Sequence, residues 1–275
     1  MDAEGRLLLQ AAGWVGRHAL PLFLLSLGGL LASAWAGWWA LQRYVVPRAQ
    51  QALPQWGSLA LYLVSGFLAI VVGGWVFSEL AQAVLAREVL GRADQVLIDA
   101  LQRSVPLNAL QVFGAVTQLG NTATITGLGI FGALGLVALK RRWLAVGWSS
   151  ALAGNGLLNH ILKQVFERAR PLHEGGLVVA DGFSFPSGHS SGSVVAFGML
   201  AYVGTHLLPP RWHLPILLVA VALAFTVGAS RVFLRVHFAS DVIAGFASGT
   251  AWLAVCVASI EFTRWYQRRG RAAEA

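Results

Sequence analysis

Apolar residues in this chain run in long blocks, and the polar residues gather between them. A helix that crosses a bilayer needs about 20 predominantly apolar residues. Blocks of that kind occur at roughly 19–42, 58–80, 123–139, 144–162, 190–208, 214–232 and 241–262. The stretch 83–121 is different. There Arg87, Glu88, Arg92, Asp94, Asp99 and Arg103 interrupt apolar positions at helical spacing, ahead of Leu119-Gly120-Asn121. That pattern predicts an amphipathic helix lying along one membrane surface. No internal repeat or low-complexity tract divides the blocks, so they form one all-α, polytopic membrane helical bundle.

Composition agrees. Of 275 residues, 56% are hydrophobic and 12% charged, with a mean hydropathy of +0.64. A soluble domain carries about 25% charged residues. The net charge of +8 raises the question of nucleic acid, but the Lys and Arg residues sit at the ends of apolar blocks. That distribution fits topology signals and lipid headgroups, not a nucleic-acid footprint. The single cysteine, Cys256, has no partner for an internal disulfide and belongs to no metal-binding spacing. It reads as a small core hydrophobe. The eleven tryptophans, Trp35, Trp38 and Trp39 among them, read as membrane-interface anchors.

Charge also orients the spans. Lys140-Arg141-Arg142 fills one short loop, Arg211 marks another, and Arg264, Arg268, Arg269 and Arg271 follow the last block. Even numbers of spans separate these sites, so one orientation places all of them in the cytoplasm. Residues 43–57 are then cytoplasmic, and the N-terminus lies outside if 19–42 spans. Arg6 and Arg17 before that block balance Arg43 and Arg48 after it, so local charge leaves its path open. A re-entrant or surface-lying helix is the alternative. The acidic start Met1-Asp2-Ala3-Glu4 argues against a cleaved signal peptide.

Three polar segments fall on the opposite, extracytoplasmic side. The first runs from Lys163 to Arg170-Pro171. Seven residues are close to two helical turns, so both cations can share a face, with Pro171 expected to end the helix. Snorkelling to headgroups is the plainer explanation of these cations taken alone. The second segment is Pro186-Ser187-Gly188-His189, opening a span. A helix N-terminus presents free N–H groups to phosphate, Ser187 adds a hydroxyl and Gly188 permits close backbone approach. Ser187 or Ser190 could equally serve as an ordinary N-cap. The third holds Ser230-Arg231, His237 and Asp241. Asp241 lies one turn beyond His237, where a carboxylate can fix the imidazole tautomer and leave the other nitrogen free to attack. Capping by Ser240 or Asp241 is the alternative there. Cations among apolar blocks are costly without a partner or a wet cavity. Three such segments on one face make an inventory for gripping and attacking a phosphate.

Lys163 with six residues before Arg170-Pro171, Pro186-Ser187-Gly188-His189, and Ser230-Arg231 with five residues before His237 and three before Asp241 together resemble the tripartite signature of the type 2 phosphatidic acid phosphatases. That superfamily also includes the vanadium haloperoxidases, which the membrane spans argue against. The resemblance covers roughly residues 58–262. It implies a six-helix membrane phosphatase core (58–262). The apolar segment near 19–42 departs from that pattern and makes one extra N-terminal hydrophobic helix with its linker (1–57), and a basic cytoplasmic tail (263–275) follows the core.

The resemblance further implies roles. His237 would be the nucleophile, forming a phosphohistidine, with Asp241 stabilising its imidazolium. His189 would be general acid, then general base. Lys163, Arg170, Arg231, Ser187 and the Gly188 amide would bind the phosphate oxygens. No metal or other cofactor is implied, and Glu174 and Asp181 are read as isolated, solvated acids. His160 is read as a core residue, His173 and Arg168 as flanking headgroup contacts, and Arg235 as lying outside the matched positions. The expected protein is an integral lipid phosphatase of a bacterial inner membrane, with membrane lipids around it and its site facing the periplasm or cell exterior. Undecaprenyl diphosphate, phosphatidylglycerol phosphate and phosphatidic acid all suit it, and presentation of its phosphate on that face favours the first. The short 172–185 loop leaves the site without a large lid, so a lipid could enter laterally between helices. A lipid phosphotransferase using the same site, or a non-catalytic anionic-lipid binder or transporter, are the rival functions. Oligomeric state has no signature in the sequence.

Overall fold

Apolar blocks of this length satisfy their backbone groups internally as helices and hide their less apolar faces against one another. A computed structural model of the chain describes residues 3–45, 47, 57–86, 89–171, 178 and 180–274. Arg48, Arg87, Glu88, His173 and Glu174 lie outside the described residues, as do 172–177 and 179 of the 172–185 loop. The helices are α1 (Ala3–Arg17), α2 (Ala19–Ala40, continued by a π turn over Leu41–Val45), α3 (Gly57–Leu85), α4 (Val89–Ser104), α5 (Leu107–Val116), α6 (Thr122–Ala138), α7 (Arg142–Phe166), α8 (Gly188–Leu207), α9 (His213–Phe233) and α10 (Ala239–Glu274). A 3-10 turn, Thr117–Gly120, joins α5 to α6. No strand occurs among the described residues.

Four of these helices are long and apolar enough to cross a membrane, and a fifth span results if α5 and α6, bent by 42° at their junction, are taken together. Helix α8 is less apolar and mostly buried at the centre of the bundle, and α7 turns one polar face toward it while exposing the apolar Trp143, Val146, Leu157 and Val165. Helix α8 packs against α7, α9 and α10. Its Val195, Met199 and Tyr202 join Trp148, Ala151, Cys256 and Ile260 in the main core cluster. Polar residues of α7, among them Asn155 and Asn159, are buried there. His160 instead faces outward and is exposed, because the adjacent Asn159 occupies the inward face. Around this centre α3 lies along α10, and α6 lies along α7.

Helix α2 packs on α9 over its length. Phe23 meets Phe225 and Phe233 near one end, and Trp38 meets His213 at the other. The two helices are therefore antiparallel, and α2 has the length and composition of a span. The 83–121 stretch differs from expectation. It contains the last turn of α3, the amphipathic α4 and the apolar α5. Pro106 lacks an N–H and disfavours helical geometry at Val105, so the helix breaks there and Pro106 stands as N-cap of α5. Helix α4 buries Ala93, Asp94, Ile98 and Leu101. Its partner is α1, a helix that the apolar blocks did not announce. Gly16 of α1 lies against Ala100 and the Leu97 carbonyl, and Ser104 Oγ donates to the Gly16 carbonyl at 2.8 Å.

Helix α10 carries glycine where α8 begins. A Cβ at Gly245 would stand 2.6 Å from the Ser187 carbonyl oxygen, and one at Gly249 would stand 2.9 Å from the Ser191 backbone. Backbone cannot yield as a side-chain tip can. Gly245→Ala is therefore expected to destabilise the bundle by about 1–3 kcal/mol in thermal unfolding in detergent. Gly74→Ala, where nothing lies within 4 Å of the new methyl, should not lower the midpoint.

Candidate active site

The C-terminal end of α7, the N-terminal end of α8 and the turn between α9 and α10 converge at one end of the bundle. Helix α7 stops at Phe166, not at Pro171: Glu167 adopts left-handed backbone (φ 44°) while its N–H reaches the Lys163 carbonyl. Arg170 is thus off the helix, and helical register does not bring it to Lys163. The 181–183 backbone does. Lys163 Nζ donates to the Phe183 carbonyl. The Arg170 guanidinium donates to the carbonyls of Gly182 (3.0 Å), Asp181 (2.9 Å) and Val236 (2.7 Å). Asp181 itself is exposed, and its backbone, not its carboxylate, holds the arginine.

Ser187 is the N-cap of α8. Its side chain accepts from the Ser190 N–H (3.3 Å), the two hydroxyls are 2.9 Å apart, and its own N–H donates to the Asp241 carbonyl at 3.0 Å. Its side chain is fully buried, so the capping alternative describes its hydroxyl better than the expected phosphate donor. Gly188 and His189 face the cleft. Gly188 lies close against Asn159, whose amide donates to Ser191 Oγ at 3.2 Å.

After α9 the chain turns back over its own end. The N–H groups of Val236 and His237 both reach the Arg231 carbonyl, with Arg235 at φ 60° in the turn. Asp241 Oδ2 accepts from the Phe238 N–H (2.9 Å), closing the first turn of α10, and lies 3.4 Å from His237 Nδ1. Capping and orientation of the imidazole are thus done by the same carboxylate. With Nδ1–H assigned to Asp241 by this network, His237 Nε2 is a lone pair, and Arg170 donates to it at 3.2 Å. Arg231 donates to Thr117 Oγ1 at 2.8 Å, but its buried Nε has no hydrogen-bond partner among the described residues.

Lys163, Arg170, Gly188, His189, Arg231 and His237 line one cleft of about 900 Å³. Asp241 stands behind His237 and is completely buried. From this polar head the cleft continues between α6 and α7, past Ile125, Ile130, Leu134 and Leu152. Ile130 and Leu134 are 55% and 62% exposed, so the cleft opens through the side of the bundle. Among the described residues no group of three or more His, Cys, Asp or Glu side chains could hold a metal ion.

Several contributors carry no motif signal in the sequence. Thr117 holds Arg231, and Gly120 lets the α5–α6 turn approach the His189 ring, where a Cβ would be 3.2 Å from Cδ2. Arg168 is turned inward, away from headgroups, between Asp241 and Asp94. The one available clue was Asp94, an acid on the buried side of an amphipathic pattern. Burial pushes its carboxyl above the usual value, against the hydrogen bonds from Ser240 and Arg168.

Residues 142–265, which contain all three motifs, match the family model described as the PAP2 superfamily. The chain is 31% identical over 179 residues to phosphatidylglycerophosphatase B of Bacillus subtilis, covering 64% of this chain and 87% of that one. It is 34% identical over 132 residues to a lipid A 1-phosphatase of Rhizobium etli, covering 45% of this chain and 53% of the relative. A crystal structure of a transmembrane PAP2-type phosphatidylglycerolphosphate phosphatase from Bacillus subtilis superposes with a TM-score of 0.66 at 28% identity, over 70% of this chain and 96% of that one.

Burial lowers the His237 imidazole from 6.5 to about 4, overriding the pull of Asp241, so the ring is neutral at pH 7. The unfolded chain binds this proton more readily than the fold does. The stability tied to neutral His237 is complete above pH 6.5 and is lost as pH falls through about 4. Melting in detergent from pH 7.5 to pH 4 should show wild type losing more stability than His237→Gln.

Proposed function

The chain belongs to the PAP2 superfamily of membrane lipid phosphatases, and on that premise we propose that it removes a phosphate from a lipid headgroup at the extracytoplasmic face through a phosphohistidine at His237. The observation that carries the proposal is the polarity of the His237 ring. Nδ1 faces the buried Asp241 carboxylate, while Nε2, beside Arg170, faces the cleft. A nucleophile needs this division, with one nitrogen held as a donor and the other keeping an unprotonated lone pair, to which Arg170 donates.

In the first step the Nε2 lone pair attacks phosphorus, and the bond from phosphorus to the lipid oxygen breaks. His189, across the same cleft, gives that oxygen a proton. Burial and the neighbouring cations hold its ring down at about 3, and the negative charge of the bound phosphate offsets those cations so that the ring can carry the proton. Positive charge on the His237 imidazole is balanced by Asp241. In the second step His189 takes a proton from water, the water oxygen attacks phosphorus, and the phosphorus–nitrogen bond breaks to release inorganic phosphate and neutral His237. Lys163, Arg170 and Arg231 face the non-bridging oxygens, together with the Gly188 amide at the start of α8. The unpartnered Arg231 Nε is a donor available to such an oxygen. Ser187 contributes by fixing that helix start.

The sideways opening between α6 and α7 suits a substrate whose chains stay in the bilayer while its phosphate reaches the polar head of the cleft. A phosphomonoester of a glycerolipid, as in phosphatidylglycerophosphate, is supported by the names of the Bacillus subtilis relatives. An undecaprenyl diphosphate or phosphatidic acid presents the same terminal phosphate. Lys140-Arg141-Arg142, Arg211 and the basic end of α10 lie away from the site, which supports a cytoplasmic-membrane orientation with the site outside.

The test is phosphate release by the purified chain from mixed micelles holding each of these lipids, with and without EDTA, and acid-labile, base-stable labelling from a lipid carrying radioactive phosphate. Release and label are expected from at least one lipid, and His237→Ala should abolish both while remaining monodisperse. Arg231→Ala should lower kcat by about 10²–10³. Turnover retained in His237→Ala would overturn the mechanism, and no release from any lipid phosphate would overturn the activity.

A further inference from the structure

Arg168 lies within the first motif but at none of its matched positions, and the structure gives it one environment only. Its side chain is partly buried, with 12% exposed, and it does not line the cleft. Nη1 donates to Asp241 Oδ1 at 2.6 Å and to Ser240 Oγ at 2.7 Å. Nη2 donates to Asp94 Oδ2 at 2.9 Å, and the guanidinium plane sits 4.3 Å over the Phe238 ring. Asp94 is also tied to Ser240, accepting from its N–H at 3.3 Å and from its hydroxyl. Arg168 thus donates both to Ser240 and Asp241, just after His237, and to Asp94, which also accepts from Ser240 and so ties α4 to the same turn.

The geometry assigns each Asp241 oxygen a different duty. Oδ1 belongs to Arg168, and Oδ2 belongs to the Phe238 N–H and His237 Nδ1. Without the guanidinium, Asp241 and Asp94 would be two buried carboxylates near one another with no cation between them. Such a pair resolves by protonating one member. A protonated or rotated Asp241 could neither keep the His237 tautomer nor balance the charge that develops on its ring. We infer that Arg168, backed by Asp94 of α4, is a positioning residue that keeps Asp241 ionised and turned toward His237. The inference rests on His237 being the nucleophile.

The test uses the full chain in mixed micelles with dioleoyl phosphatidic acid and with phosphatidylglycerophosphate, comparing Arg168→Gln, Arg168→Lys and Asp94→Asn. Arg168→Gln is expected to lower kcat by about 10²-fold, the scale of a misplaced reacting group, with KM changed less than threefold. Arg168→Lys should recover at least a tenfold part of that loss. Asp94→Asn, which keeps hydrogen bonds but not charge, should lower kcat at least fivefold with KM unchanged. A rise in KM with kcat kept would make Arg168 a headgroup contact and overturn the proposal. Should Arg168→Gln fail to fold, unchanged kcat in both Arg168→Lys and Asp94→Asn would overturn it equally. Turnover surviving in His237→Ala is the separate result that removes the nucleophile reading, whatever the Arg168 variants do.

Discussion

Three cations are held at the end of an apolar bundle, and their desolvation is the constraint on which the rest of the site depends. An unpaired cation in such a place is costly unless fixed dipoles or an anion compensate it. Lys163 and Arg170 are compensated by main-chain carbonyls of residues 181–183 and by Val236. Arg231 is compensated only in part, by Thr117. The chain supplies dipoles, not carboxylates, to these three groups. Their positive charge therefore remains available to a ligand rather than being neutralised by the protein. The one carboxylate in the site, Asp241, is kept behind the imidazole and has its own guanidinium in Arg168.

Carbonyl compensation in turn dictates the local fold. Helix α7 must end early, at Glu167, for the 168–171 segment to leave the helix and meet the 181–183 backbone. The start of α8 must lie against α10, which Gly245 and Gly249 permit. Two capping groups then acquire second duties: the Ser187 turn sets the Gly188 amide at the cleft, and Asp241 closes α10 while orienting His237. What looked in the sequence like a choice between a cap and a functional group is, at Asp241, a single arrangement.

Much of this was legible in the chain. Apolar block length announced the bundle helices, and the order and spacing of Lys163, Arg170, His189, Arg231, His237 and Asp241 announced the cleft and the carboxylate behind it. The misses have physical causes. Helix α1 is amphipathic and short, so no apolar block marks it. The break at Pro106 sits inside an otherwise continuous helical periodicity, which masks it. Arg168 was assigned to headgroups because exposure is the default for arginine, and only tertiary contact with Asp94, 74 positions away, turns it inward. Thr117 and Gly120 act through close approach across the bundle, which spacing along one chain does not encode.

The cleft that opens between α6 and α7 has a consequence for how such a catalyst meets its reactant. On the proposed sideways entry past the exposed Ile130 and Leu134, a lipid would reach the site without passing through bulk water. Encounter is then a two-dimensional search, and the quantity that saturates the site is the mole fraction of lipid in the leaflet. Diluting the membrane with inert lipid would slow turnover even when the total amount of substrate in the vessel is unchanged.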